Sequence, residues 1–151
     1  MNWDAVGAIG EIIGATAVLI TLIYVSIQLK KTNDISRFNA SKEIADSFDN
    51  MNQMIVTDPS LRQAIHKTTE LSSDEKEQVY AFVNMFCNTW LMIQTAYDNG
   101  LLDEEFFKAA KRDVPFELDR WPNVRPFVLI WLDRFPEIKE FEMFSPLKEN
   151  G

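Results

Sequence analysis

One stretch limits what this chain can fold into. From Ile9 to Ile27 it reads IGEIIGATAVLITLIYVSI, with Glu11 as its single charged residue. Its mean hydropathy, roughly 2, lies in the range of membrane-crossing helices. At a rise of about 1.5 Å per residue, the wider run from Gly7 to Leu29 spans a hydrocarbon core with slight tilt to spare. A cleaved signal peptide is the rival reading, and three features oppose it. The preceding MNWDAV carries an acid and no basic n-region, and the apolar run outlasts an h-region. Lys30-Lys31 then follows where a small-residue cleavage site belongs. The expected organisation is a transmembrane anchor over 1–30 and a helical domain over 31–151.

Charge gives that anchor a direction. Lys30, Lys31 and Arg37 flank its C-terminal end, whereas its N-terminal flank holds Asp4 and no Lys or Arg. The positive-inside rule then leaves the N-terminus outside and the large domain in the cytoplasm. Trp3 and Tyr24 suit the two interfacial aromatic belts.

Residues placed at 100° steps divide the anchor into two sides. Gly7, Gly10, Gly14, Ala17 and Thr21 fall on one, continued by Tyr24 and Gln28; Ile12, Leu19, Ile23 and Ile27 fall opposite. Small side chains over successive turns, with Gly10 and Gly14 as a GxxxG pair, let a second helix approach closely. The plainer reading is that glycine is common in membrane helices. Glu11 flanks the small-residue side. It is read as a polar pin between helices, as part of an ion or proton path, or as a side chain that snorkels to the outer interface or stays protonated.

Beyond the anchor the chain is acidic. Of 23 acidic residues only Asp4 and Glu11 precede Lys30, so 21 of them stand against all 15 basic residues, a net −6. Such a surface repels phosphate backbones, which argues against nucleic acid as a partner. An apolar share of 46% and an aromatic share of 12% exclude a disordered chain. The lone Cys87 forms no intrachain disulfide, and His66 alone does not make a zinc site.

Helical spacing continues past Lys31 through Ile35, Phe38, Ala45, Phe48 and Ile55, with no Pro or Gly until Pro59. The anchor is therefore expected to run on as one long helix to about Val56. Asp58-Pro59 restarts the chain with an N-cap and a proline at N1, and Leu61, Ile65 and Leu71 mark a short second helix and its exit. Ser72-Ser73-Asp74-Glu75 matches a capping box, and Asn99-Gly100 a C-cap. The helix between them has an uncharged stretch, Gln78–Tyr97, but a mean hydropathy of roughly 0.7 with Asn84, Asn88, Thr89 and Gln94 inside it. It reads as a buried bundle helix rather than a second span. Asp103 caps a helix carrying Phe106, Phe107, Ala110 and Val114. Pro115, Pro122, Pro126 and Pro136 are expected to divide the last third into short helices, one with Phe127, Ile130, Trp131, Leu132 and Phe135 as its apolar residues. No segment alternates with period two, so the fold class is all-α: an antiparallel cytoplasmic bundle continuing from the anchor.

Chemistry is sparse. No GxGxxG, Walker lysine loop, HExxH, GxSxG or CxxC occurs, which gives no catalytic or metal residue and no cofactor. Cys87 among Phe86, Asn88 and Trp90 reads as a small buried apolar residue, and His66 as a surface or boundary histidine. Asp103-Glu104-Glu105 is the acidic first turn that a helix dipole favours. The Phe and Trp stripe of the last third reads as core. Asn84, Asn88 and Gln94 need partners if buried, either one another or a ligand or partner chain.

Trp3, Ala5, the run Gly7-Ala8-Ile9-Gly10-Glu11-Ile12-Ile13-Gly14-Ala15, and Leu22, Tyr24 and Gln28 resemble a broad group of small uncharacterised bacterial single-pass membrane proteins. Thr57-Asp58-Pro59, Leu71-Ser72 with Glu75, and Gly100-Leu101-Leu102 are similar to that group as well. The resemblance implies a bacterial protein of the inner membrane and supplies no activity. The expected function is therefore non-enzymatic. The chain associates through its anchor, with membrane lipid and with itself or other membrane subunits, as a homo-oligomer or an accessory subunit. The alternatives are a homo-oligomeric channel or sensor with Glu11 in a polar path, and an enzyme whose site is assembled from scattered residues.

Overall fold

A computed structural model describes residues 2–148, and among these no strand occurs. The helices are α1 (Trp3–Thr57), α2 (Pro59–His66), α3 (Ser73–Asp98), α4 (Glu104–Arg120), α5 (Val124–Arg134), α6 (Pro136–Lys139) and α7 (Ser145–Lys148), with a 3₁₀ turn at Glu142–Phe144. The all-α expectation holds, including one unbroken first helix. From Ala15 to Asp58 the chain has neither Gly nor Pro to interrupt it. The chain divides into two compact units, Met1–Phe38 and Asn39–Gly151.

The first unit is the N-terminal part of α1. Its most apolar 18-residue window contains no buried residue, and α1 is the one helix among the described residues long and apolar enough to cross a membrane. Its hydroxyls are satisfied within the helix. Thr16, Thr21 and Ser26 each donate to the carbonyl four residues back, Ile12, Ala17 and Leu22, at 2.8 Å. Polar groups paired in this way carry little penalty in an apolar medium.

The second unit is a bundle centred on α3, which packs against α2, α4 and α5. The uncharged stretch of α3 is core, as its amides suggested: Val79, Phe82, Val83, Phe86, Cys87, Trp90 and Ile93 are all buried. Local chemistry sets the element ends. Asp58 accepts from the N–H groups of Ser60 and Leu61 at 2.9 and 3.1 Å, opening α2 ahead of Pro59. Ser72 and Glu75 close a reciprocal capping box at the start of α3. At its end Gly100, with φ +68°, lets the Leu101 N–H reach the Ala96 carbonyl and its own N–H reach that of Tyr97, a Schellman closure. Asp103 accepts from the Phe106 N–H at 2.7 Å and starts α4.

The structure corrects the sequence expectations at four points. Pro115 does not end a helix, because α4 continues through it to Arg120, held on both sides by fully buried Val114 and Leu118. Pro126 lies in the first turn of α5, where the missing N–H has no intrahelical role, so of the four prolines in the last third only Pro122 and Pro136 stand at breaks. The α5 core face is Val124, Val128, Trp131 and Leu132, while Ile130 is exposed. In α1 the buried residues are Ile44 and Met51, flanked by half-buried Phe48 and Ile55, whereas Ile35 and Phe38 are exposed.

Candidate ligand cavity and the apolar helix face

Aromatic side chains gather where α3 meets the α4–α5 junction. Phe86 stands edge-on to both Trp90 and Trp121, at centroid distances of 4.3 and 5.6 Å. These three rings are nearly fully buried and form the floor of a cavity of about 440 Å³. One wall comes from α1 (Ile44, Ala45, Phe48 and Met51) and the other from α4 (Phe106, Ala109 and Ala110). The helix pairs with the most extensive backbone approach do not include α1. Bulky Ile44, Phe48 and Met51 of α1 and small Ala109 and Ala110 of α4 border the same open space. The size and lining are those of small-molecule sites, mainly apolar with a few polar groups.

The polar groups sit on α4. Asp113, Glu117 and Arg120 line the same cavity, with Ser41 and Asn52 contributed by α1. Glu117 Oε2 is buried and has no hydrogen-bond partner among the described residues. The Arg120 Nη1 lies 3.8 Å away, an ion-pair contact beyond hydrogen-bond reach, and its guanidinium lies over the Trp121 ring, 5.6 Å from the centroid. Burial pushes the Glu117 carboxyl above its ordinary pKa; Arg120 opposes the shift and Asp113 adds to it. The Glu117 side chain as a whole is only half-buried, with one oxygen turned out of solvent, and a partly desolvated carboxyl in an apolar cleft is a feature that functional sites and structural pairs share. Neither composition nor spacing singled out Glu117 or Arg120, since an i,i+3 acid–base pair on a helix reads as ordinary surface.

The residues that the sequence did single out lie on α1. Gly7, Gly10, Glu11, Gly14, Ala17 and Thr21 are all exposed, and a Cβ added at any of the three glycines would meet nothing within 4 Å. By helical spacing they share one side. The three amides of α3 separate instead of pairing with one another. Asn84 is half-buried, and Asn88 is exposed and lines a second hollow near Glu43 and Asn99. Gln94 is buried and used at both ends: its Oε1 accepts the Met143 N–H and its Nε2 donates to Asp98, each at 2.9 Å. His66 is exposed. Cys87 is buried, its thiol pushed up to about 12 by burial. Among the described residues no group of three His, Cys, Asp or Glu could hold a metal ion.

Fold and site together define an all-helical protein with one long first helix, apolar in its N-terminal part, and a bundle with a cavity open on one side. Residues 8–130 match the domain of unknown function DUF4760, and the chain belongs to that family. No curated protein and no solved structure matches it.

Proposed function

We propose that this protein is a single-pass inner-membrane protein whose N-terminal helix anchors the helical bundle at the cytoplasmic face. It acts by association through that helix, with a second copy or with other membrane subunits, rather than by catalysis. The observation that carries the reading is the exposure of α1: none of its most apolar window is buried, although the rest of the chain buries a full core. An apolar surface of that extent on a helix of that length is matched by lipid. The small-residue side supports association, because Gly10 and Gly14 leave room for a close helix neighbour. Lys30, Lys31 and Arg37 support a cytoplasmic bundle.

The test is association of the full chain in lipid bilayers, measured by crosslinking and by sizing of native-membrane extracts. Gly10→Ile and Gly14→Ile should each lower the assembled fraction several-fold, while Leu19→Ile, on the opposite side, leaves it unchanged. Glu11→Gln should retain more assembly than Glu11→Leu if the carboxyl pins the interface through a hydrogen bond. Equal assembly by all these variants would reduce the helix to a plain anchor.

A further inference from the structure

The cavity beneath α1 carries more than its apolar lining requires. A cavity evolved only as a packing defect would be lined by apolar atoms, yet this one contains a buried carboxylate oxygen without a hydrogen-bond partner among the described residues. Leaving a buried acceptor unsatisfied is unfavourable, and more so when the group is charged. Arg120 lies over Trp121 and makes only an ion-pair contact with this oxygen, at 3.8 Å, which leaves it without a hydrogen bond.

The missing partner is therefore a donor. Its sign follows from the surroundings: two carboxylates, Asp113 and Glu117, line the cavity against one guanidinium. The aromatic floor points the same way. Indole and phenyl faces attract cations, and the Trp121 ring already holds one in Arg120. A carboxylate or phosphate ligand would have to overcome Asp113 and Glu117, and a purely aliphatic one would leave Glu117 Oε2 as it is.

We propose that the cavity between α1, α3 and α4 is a binding site for a small apolar amine, whose ammonium group donates to Glu117 while its apolar body lies against Phe86, Trp90 and Phe48. A volume of about 440 Å³ accommodates an arylalkyl or short alkyl amine together with ordered water. The amine takes the place that Arg120 fails to fill, and its apolar portion occupies the gap that α1 leaves over the alanines of α4.

The experiment uses the full chain in nanodiscs of zwitterionic lipid, with empty discs subtracted, and follows calorimetric titration by 2-phenylethylamine. Its neutral isostere 2-phenylethanol and the anion phenylacetate serve as comparison probes. The amine should bind at least about tenfold more tightly than either, a difference of about 1.4 kcal/mol. Glu117→Gln, which keeps shape and removes charge, should erase that preference and leave the alcohol nearly unchanged. Ala110→Phe, which fills the cavity, should weaken all three, and thermal melts of both variants confirm that the bundle is folded. Three results would overturn the proposal: equal binding of the three probes by the native chain, amine binding indifferent to Glu117→Gln, or no saturable amine binding up to about 10 mM.

Discussion

Gln94 and Cys87 lie within two turns of one another on α3 and are buried for different reasons. Gln94 is polar and paid for by bonds at both ends of its amide, which tie the 3₁₀ turn to α3 through the Met143 N–H. Cys87 is buried as a small apolar side chain, and its thiol rises to about 12. Its folded value lies above the unfolded one of about 8.5, so the contribution it makes to stability is complete below about pH 8.5 and is lost as pH climbs towards 12. Alkylation by iodoacetamide at pH 8 should therefore be very slow in the folded chain and rapid after unfolding in urea. Fast labelling of the folded protein would mean that Cys87 is accessible.

Element ends in this chain are decided locally, and element faces are not. Asp58, Ser72, Asp103 and Gly100 were legible in the sequence because a cap is made within a few residues of itself. Ser72 and Glu75 illustrate this. Lys67 bonds both Glu75 oxygens and holds the carboxyl below its ordinary range, with the Ser72 N–H adding to the effect. Ser72→Ala should destabilise the bundle by about 0.5–2 kcal/mol in urea unfolding, and an unchanged midpoint would show that the cap contributes nothing. The effect of a proline is not local in the same way. Whether Pro115 breaks α4 depends on Val114 and Leu118 finding a core, and those partners are distant in sequence. The choice of Ile44 and Met51 as the buried side of α1 is likewise made by the bundle. The helix repeat allowed Ile35 and Phe38 equally well.

For the whole molecule, the long apolar first helix is the most legible part and the cavity the least. That helix begins as a continuous run whose hydropathy and length are properties of adjacent residues. The cavity joins Ile44 and Phe48 of α1 to Glu117 and Arg120 of α4, positions about seventy apart, and no local pattern marks them. Asn123 shows the same limit. Its amide clamps the Ala64 and Lys67 carbonyls at 2.8 and 2.6 Å and so fixes the end of α2 against the start of α5, a role with no sequence signature.

The central claim is that α1 inserts in the membrane and leaves the bundle in the cytoplasm, and one measurement addresses both halves. Fluorescent-protein and alkaline-phosphatase reporters are fused in turn after Gly151 of the full chain and expressed in bacteria, and each activity is measured in membrane and soluble fractions. Insertion with a cytoplasmic bundle predicts fluorescence confined to the membrane fraction, no phosphatase activity, and a partial shift towards phosphatase activity when Lys30 and Lys31 are both replaced by Glu. Phosphatase activity from the unmodified fusion, or fluorescence recovered in the soluble fraction, would contradict it.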